Sequence, residues 1–401
     1  MLIDIRNILT LRYDPTIEIK SPIPQIDINQ IKNRRIDTYP SAEDIENELR
    51  GIIRENISRL DPKRISLALS TGIDSNLMLS LIRDEYPKLD VNCISVSFDE
   101  TSEGNHARKI AESKDTDFSN VTVDNPLKDL PLLIGIIKEP RWNLYQYYFI
   151  ERSKQFSNVL FTGDGGDELF GGYTFRYNKF LNLLNHDHDW KQLVRFYLDC
   201  HERDWVPDQE KIFGANIRFD WSSIYTLLRK YFDNELDPLD QVFLADYHGK
   251  LIYDFVPTNE RFFNYFGVTG LSPILDHKII EMSFKIPPSA KFNSKTNMGK
   301  IPLRTILSNL NGRDISDTKI GFGMDLKKLW SSNAKEIVTS TLSDASIFRD
   351  KIISHEFYDR SIKKIDETDD VRFISKMLQL LSLEIWYKMF ITFEVSSKYS
   401  L

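Results

Sequence analysis

Cysteine is scarce in this sequence of 401 residues, which contains only Cys93 and Cys200. Neither lies in a spacing that metal sites use, and two distant cysteines cannot build a disulfide-rich scaffold. Basic residues are also in the minority, since 52 Lys and Arg stand against 59 Asp and Glu. The resulting net charge of −7 argues against a nucleic-acid-binding protein with a basic surface. The composition predicts a protein of a reducing, cytoplasmic compartment.

Long apolar runs are missing as well. Residues 1–6 read MLIDIR and lack the apolar run and the cleavage site of a signal peptide. The most apolar late stretch, residues 378–392, contains Glu384 and Lys388, which predicts a core helix and not a membrane span. The 41% of hydrophobic residues still suffice for a large core in two or three domain-sized units. We expect a globular protein without a membrane partner.

What the sequence does contain, from about residue 64 to 173, is an alternation of strand and helix patterns. The predicted strands are residues 65–69, 91–98, 120–123 and 158–162, and the predicted helices are 75–86, 103–113 and 142–155. This rhythm is typical of an α/β protein with a parallel sheet. Ser41 and Asp44 match a capping box, which predicts a helix over residues 41–60. Residues 1–45 are rich in proline and predict an extended lead-in, and beyond residue 175 the pattern is mainly helical.

The chain is organised around the turn after the first predicted strand, where residues 67–75 read LALSTGIDS. The apolar strand ends at Leu69, and a helical pattern opens at Ser75. We expect Gly72 to adopt a backbone geometry that a side chain would forbid. Backbone N–H groups at such a junction, with the positive end of the helix dipole behind them, form an anion site. Phosphate is the first candidate ligand.

A second unusual turn follows the last predicted strand, where residues 163–173 read GDGGDELFGGY. It holds five glycines and three acids in eleven residues. Carboxylates beside a phosphate site are unfavourable unless a divalent cation lies between them, and Mg²⁺ commonly takes one or two carboxylates with phosphate oxygens and water. Asp74 and Asp167 are the obvious pair. Taken singly, Asp74 could equally be a helix N-terminal charge and Asp167 a turn residue.

The two turns carry a resemblance to a known family. The first resembles the pyrophosphate-binding loop of the N-type ATP pyrophosphatases, the PP-loop superfamily, and it is distinct from a Walker A loop. The second is similar to the signature of the synthetase domain in the glutamine-hydrolysing asparagine synthetase family. Further similarities cover roughly residues 60–335: Glu139 with Pro140, and segments 273–277 (PILDH), 300–304 (KIPLR) and 319–323 (KIGFG).

The resemblance implies an ATP-binding α/β core over residues 46–180, of the PP-loop (adenine nucleotide alpha hydrolase-like) type. It further implies that the mainly helical region 181–401 completes the synthetase site, and that the lead-in over 1–45 resembles the end of a glutaminase domain. In this family, ATP with Mg²⁺ adenylates a small carboxylate and pyrophosphate leaves. An amine then attacks the acyl-adenylate, which yields an amide and AMP.

The resemblance also implies roles for particular residues. Asp74 and Asp167 would be the Mg²⁺ ligands. Lys300 and Lys319 match two family lysines that would stabilise the charge on the leaving pyrophosphate, and we expect Lys319 to be the more important. Asp164 would orient or deprotonate the attacking amine. The implied ATP- and pyrophosphate-binding residues are Leu69, Ser70, Thr71, Gly72, Asp74, Ser75, Ser97, Gly163 and Gly165.

Three features depart from the family pattern. Residue 2 is Leu where the family's glutaminase domain has its cysteine nucleophile, so we expect ammonia to come from solution or a separate glutaminase, or the nucleophile to be another amine. Thr71 replaces the middle glycine of the loop, and its branched side chain restricts φ and ψ. Residues 267–272 read GVTGLS where asparagine synthetases typically have Ser-Val-Glu-Ala-Arg-Val. The lost Glu and Arg argue against aspartate as the acceptor.

The leading hypothesis is an AMP-forming amide ligase that acts on a small carboxylate with ammonia or another amine. A second hypothesis keeps this chemistry and changes the substrate, either to intramolecular amide formation as in β-lactam synthetase or to the amidation of a natural product or sugar. A third is a degenerate nucleotide-binding protein, which the retention of both aspartates and both lysines opposes. A tRNA-thiolating pyrophosphatase is a weaker rival, because the chain is acidic and lacks redox cysteines.

Overall fold

A sheet of five parallel strands forms the centre of the computed structural model, which describes residues 3–34, 38–98, 102–184, 188–201, 205–312, 324–399 and 401. The strand order is β3-β2-β1-β4-β5. The strands are β1 (Arg64–Ala68), β2 (Asp90–Ser97), β3 (Asp117–Thr122), β4 (Val159–Phe161) and β5 (Thr269–Leu271). The predicted α/β class and the four predicted strands are confirmed, although β3 begins three residues earlier than expected. The fifth strand was not predicted and lies in the divergent segment 267–272.

Strand β1 occupies the centre of the sheet and pairs with a strand on each side. Leu67 is in register with Cys93 of β2 and with Phe161 of β4. The chain therefore runs outward from β1 through β2 to β3, and then returns to the other side of β1 as β4. Ligands of open α/β sheets bind beyond the carboxyl ends of the strands at such a switch point. The switch point lies between β1 and β4, and the two unusual turns of the sequence directly follow these two strands.

Eight helices precede or accompany the first four strands within the described residues. They are α1 (Ile5–Leu11), α2 (Ile28–Lys32), α3 (Ala42–Leu60), α4 (Ile73–Glu85), α5 (Ser102–Ser113), α6 (Leu130–Ile137), α7 (Gln146–Ser153) and α8 (Gly166–Phe170). The predicted capping box of α3 is confirmed, because Ser41 and Asp44 exchange side-chain to backbone hydrogen bonds. Helix α7 is shorter than the predicted segment 142–155, and α6 was not predicted.

The rest of the described chain is mainly helical, as predicted. Its α-helices are α9 (Thr174–Leu183), α10 (Trp190–Asp199), α11 (Trp221–Phe232), α12 (Pro238–Asp246), α13 (Val256–Phe266), α14 (His277–Lys285), α15 (Pro288–Lys291), α16 (Ile301–Asn311), α17 (Leu326–Leu329), α18 (Lys335–Leu342), α19 (Ser346–Arg349), α20 (His355–Thr368) and α21 (Val371–Phe390). Two π-helices, Tyr247–Phe255 and Trp330–Ala334, lie directly before α13 and α18. The proposed division at residues 45 and 180 stays a prediction.

Hydrophobic cores cover both faces of the sheet. On β4, Phe161 packs into a core with helices α3 and α4, and the preceding Leu160 packs into a second core with α6 and α21. This alternation is what a strand covered by helices on both faces requires. Helix α21 is almost wholly buried, which confirms the prediction of a core helix there. In the part of the chain that the structure describes, no helix has the length and apolarity needed to cross a bilayer.

Candidate active site

The two unusual turns lie against each other at the carboxyl edge of the sheet. A Cβ atom at Gly163 would lie 2.7 Å from the backbone nitrogen of Ser75 and 2.8 Å from the carbonyl carbon of Asp74. Only a glycine fits there, because both neighbouring atoms belong to the backbone. Gly165 has a φ of 93° at the N-cap of α8, in the region that favours glycine. Two of the second turn's glycines thus bring the two turns together and start α8.

The first turn is held by its own Ser70 side chain and by side chains of helix α4. The Ser75 hydroxyl accepts the Ser70 N–H at 3.1 Å, and the Ser70 hydroxyl accepts the Gly72 N–H at 3.1 Å. Asn76 donates its amide to the Gly72 carbonyl oxygen at 2.6 Å. The signal for Asn76 was its place directly after the motif, but the sequence alone assigned it no role. These hydrogen bonds fix the turn that we interpret as the anion site.

Two expectations about this turn are corrected by the structure. Gly72 has φ −71° and ψ 154°, an extended conformation open to any residue, so it does not supply the special geometry that we predicted. Helix α4 begins at Ile73 and not at Ser75, with Gly72 as its N-cap. Thr71 is not one of the residues with positive φ. The threonine in the loop therefore does not strain the turn in the left-handed region.

The ammonium group of Lys300 joins the two turns. Its Nζ lies 2.5 Å from Oδ2 of Asp74 and 2.7 Å from Oδ1 of Asp167. Burial alone would lower the pKa of Lys300, but the charges of Asp167 and Asp74 outweigh burial and raise this pKa above the ordinary lysine value. The lysine is therefore charged, and the two aspartates reach a single cation. The structure thus brings together three of the predicted site residues.

The same two carboxylates suit the Mg²⁺ ion that the family implies. Each already places an oxygen against one common cation, the Lys300 ammonium. Over the described ranges, no cluster of three or more His, Cys, Asp or Glu side chains could hold a metal ion. Two carboxylates, completed by phosphate oxygens and water, are a usual Mg²⁺ environment. The donor set therefore fits a nucleotide-bound Mg²⁺ better than a metal held by protein ligands alone.

Asp164, the candidate residue for the amine, lies in a polar pocket beside β5. Its Oδ2 accepts hydrogen bonds from the Thr162 hydroxyl and the Asn259 amide, both at 2.8 Å. Burial raises the pKa of Asp164, and hydrogen bonds from Thr162, Asn259 and Ser272 offset only part of this increase. Ser272 belongs to the divergent segment 267–272 and also hydrogen-bonds Thr162. The segment that departs from the family therefore touches this candidate catalytic residue.

Tyr145 also belongs to this neighbourhood. Burial raises its pKa, and the negative charges of Asp164 and Glu168 add to the effect. Sequence reasoning missed both Tyr145 and Asn259, because each lies in a helical or connecting segment without a recognisable motif. The only available signals for a role in the site were that Tyr145 follows the Glu139 motif closely and that Asn259 precedes the divergent segment 267–272. The Asp164 neighbourhood accordingly includes polar groups from four separate segments of the chain.

Glu168 is buried under the second turn and accepts a short hydrogen bond from the Tyr173 hydroxyl. Burial raises the pKa of Glu168, while the charge of Lys250 opposes this shift. Lys250 donates to the Tyr173 hydroxyl at 3.1 Å and comes from the π-helix Tyr247–Phe255. π-Helical segments are frequent at functional sites. These contacts anchor the second turn to the helical half, and nothing in the local sequence predicted the contribution of Lys250.

A buried ionic network surrounds Glu139, the acid of the Glu-Pro motif. Glu139 pairs with Arg141 at 2.6 Å and with Arg261 at 2.5 Å, and Arg141 also pairs with Asp254. Burial would raise the pKa of Glu139, but the two arginines outweigh burial and lower it. The network therefore holds Glu139 ionised and links α13 and the π-helix to the segment before α7.

The other predicted residues lie at the ends of neighbouring strands. Leu69 extends the ladder beyond β1, since its N–H donates to the Ile94 carbonyl oxygen at 2.8 Å. Ser97, at the end of β2, is buried and donates to Asn120 of β3 at 2.9 Å. Lys319 falls outside the described residues. Its expected place in the site, together with the segment 319–323, stays a prediction.

Fold and site define an α/β protein with a PP-loop core: a parallel sheet whose switch point carries a serine- and glycine-containing turn and a carboxylate pair. The chain belongs to the asparagine synthase family, whose family model matches residues 57–388. It is 22% identical over 326 residues to Asparagine synthetase (glutamine-hydrolyzing) 1 of Bacillus subtilis (strain 168), a match that covers 71% of this chain and 51% of the relative. The chain spans about half the length of this curated relative.

Proposed function

We propose that this chain is an ATP-dependent amide ligase that forms AMP and pyrophosphate. It would adenylate a carboxylate and transfer ammonia or another amine to the acyl group. The observation that carries the proposal is the convergence of Asp74 and Asp167 on one cation, next to the turn held by Ser70 and Ser75. This combination suits the pyrophosphate end of ATP, and membership of the asparagine synthase family supports it.

In this proposal the first turn binds the pyrophosphate portion of ATP through its backbone N–H groups and its serine hydroxyls. Asp74 and Asp167 would hold Mg²⁺, which when bound would neutralise phosphate charge and orient the leaving group. Lys300, and Lys319 of the segment 319–323, would face the charge that develops on the departing pyrophosphate. Preorganised cations contribute most where charge develops in the transition state.

Asp164 is proposed as the residue that orients or deprotonates the amine. Burial raises its pKa, which makes the Asp164 carboxylate a stronger base than an ordinary aspartate and suits a proton-accepting role. Asn259 and Thr162 direct their hydrogen bonds to one oxygen, Oδ2, of this carboxylate. The other oxygen would then serve the amine.

The acceptor and the amine source are separate proposals. The divergent segment 267–272 forms β5 and places Ser272 against the Asp164 pocket, which favours an acceptor other than aspartate. Amidation of a natural product or sugar, or an intramolecular closure as in β-lactam synthetase, is the second candidate function that this observation favours. The curated relative's name specifies glutamine hydrolysis. For this chain we propose ammonia, from solution or from a glutaminase, or another amine as the nucleophile, in a cytoplasmic setting.

Pyrophosphate release tests the proposal directly. The purified chain is incubated with ATP, Mg²⁺ and a panel of carboxylates and amines, and products are identified by mass spectrometry. The matched variants are Asp74→Ala, at the start of α4, and Asp84→Ala, near the end of the same helix. We expect release with the wild type and with Asp84→Ala, and its loss with Asp74→Ala. Release that is equal in all three, or absent across the panel, would count against the ligase.

A further inference from the structure

The position between Asp74 and Asp167 is filled by a cation of the protein itself. The Lys300 ammonium lies within 2.7 Å of both carboxylates, which are the proposed Mg²⁺ ligands. Mg²⁺ binds oxygen ligands at about 2.0–2.1 Å, so an ion held by both carboxylates would compete with the ammonium for the space between them. The ammonium and the metal ion therefore cannot occupy this position together.

The arrangement is built into the fold. The Lys300 side chain is only 8% exposed, and its backbone N–H donates to the Phe170 carbonyl oxygen at 2.9 Å, in the second turn. Lys300 has φ 56° and ψ 34°, a left-handed conformation, at the N-cap of α16. Residues other than glycine keep such a conformation where the surroundings enforce it, and these positions are frequent at functional sites. The ammonium is thus directed to the carboxylate pair by both its backbone and its burial.

The charges nearby decide whether the Asp74–Asp167 pair binds the ammonium or Mg²⁺, with and without a bound nucleotide. The Lys300 ammonium brings one positive charge to the two carboxylates, whereas a divalent ion brings two. An incoming Mg²⁺ must however displace a buried ion pair and expel the ammonium. A nucleotide changes this balance, because its phosphates offer the displaced ammonium a new anionic partner next to the first turn.

We propose that Lys300 is the resident cation of the Asp74–Asp167 pair, and that Mg²⁺ enters only as the ammonium moves from the carboxylates to the nucleotide phosphates. The proposal rests on the Mg²⁺ site of the proposed function and deepens it. It makes metal and nucleotide binding interdependent: free divalent ions bind weakly, and the metal–nucleotide complex binds as a unit. In this proposal the Lys300 ammonium keeps Mg²⁺ out of the site when no nucleotide is bound, and it binds the phosphates when a nucleotide is present.

Mn²⁺ binding without nucleotide tests the exchange and needs no turnover. The free Mn²⁺ signal in electron paramagnetic resonance is titrated with the full chain, as wild type, Lys300→Met, Lys300→Arg and the control Lys278→Met. Lys278 is a half-exposed lysine that pairs with Glu48 on the outer surface. Because removing one partner of a buried ion pair leaves an uncompensated charge, we expect Lys300→Met to bind Mn²⁺ on the order of ten- to a hundredfold more tightly than wild type. Lys300→Arg and Lys278→Met should both remain weak.

Equal or weaker Mn²⁺ binding by a folded Lys300→Met would overturn the exchange. Circular dichroism checks folding, and a second measurement on the wild type covers the case in which the variant does not fold. Lys300 acylation by an amine reagent, followed by peptide mass spectrometry, should change when Mg²⁺ and ATP are added together, because the ammonium leaves its buried pair, and should not respond to Mg²⁺ alone. Acylation that is unaffected by Mg²⁺ with ATP would contradict the proposal. A ligase that is inactive on every substrate would leave both readouts intact.

Discussion

Gly163→Ala is the sharpest test of how the two turns meet. The added methyl carbon would lie 2.7 Å from the Ser75 nitrogen and 2.8 Å from the Asp74 carbonyl carbon. Nonbonded heavy atoms are most stable at about 3.5–4.0 Å, so the turns must separate by about 1 Å. Neither obstructing atom can rotate away, because both belong to the backbone at the start of α4. The substitution therefore acts on the loop position as well as on stability.

The expected cost follows from this overlap. Overpacking of a close contact destabilises by about 1–3 kcal/mol. A displacement of about 1 Å in a catalytic arrangement can reduce the rate on the order of a hundredfold. We therefore expect Gly163→Ala to unfold at lower urea concentration than the wild type and to lose most pyrophosphate release.

Gly51→Ala supplies the matched control. Gly51 lies inside α3, where an added Cβ meets no atom within 4 Å. Alanine in an exposed helix interior is more stable than glycine by about 0.5–1 kcal/mol. Urea unfolding should thus move in opposite directions for the two variants. If Gly163→Ala matched the wild type in both urea midpoint and pyrophosphate release, the close approach of the two turns would be wrong.

Two further predictions concern buried groups outside the site. His248 accepts the Ile26 N–H at 3.0 Å, and burial, with the charge of Lys230, lowers its pKa to about 4. An unfolded histidine has a pKa of about 6.5, so the folded chain binds fewer protons than the unfolded chain between pH 6.5 and 4. The contribution of His248 to the free energy of unfolding is therefore complete above pH 6.5, and it falls by about 3 kcal/mol as the pH drops from 6.5 through 4. His248→Gln should flatten this part of the pH profile in urea unfolding, and an unchanged profile would contradict the assignment. Glu384 accepts the N–H groups of Ser346 at 2.9 Å and Ile347 at 3.0 Å and pairs with Lys388 at 2.9 Å. Glu384→Leu should cost about 2–4 kcal/mol, because it leaves buried donors without acceptors; an unaltered unfolding midpoint would show that these hydrogen bonds do not stabilise α19.

Glu384 also illustrates what a local pattern can and cannot reveal. Its charge within an apolar stretch was enough to reject a membrane span and predict a core helix. The reason for a buried carboxylate there lies 37 and 38 residues away, at the start of α19. Such partners leave no trace in the periodicity of the helix itself.

The sequence by itself determined the α/β class, four of the five strands and the two turns that face each other at the sheet edge. It could do so because strand and helix periodicity, capping residues and clustered glycines and acids are local signals. The pairing of Asp74 with Asp167 was predicted because carboxylates beside a phosphate site favour a divalent cation between them. The roles of Lys319 and the regional boundaries stay predictions.

Only the tertiary structure decided what completes the site. Lys300 reaches Asp74 across 226 residues of sequence, and Asn259 reaches Asp164 across 95. The divergent segment 267–272 forms the edge strand β5 because it can pair with β4. Its own composition is a poor strand signal. Contacts between distant segments depend on how the helical half packs on the sheet, and no local pattern encodes that packing. The sequence was enough to predict the two turns, but only the tertiary structure shows that the Lys300 ammonium lies between their carboxylates.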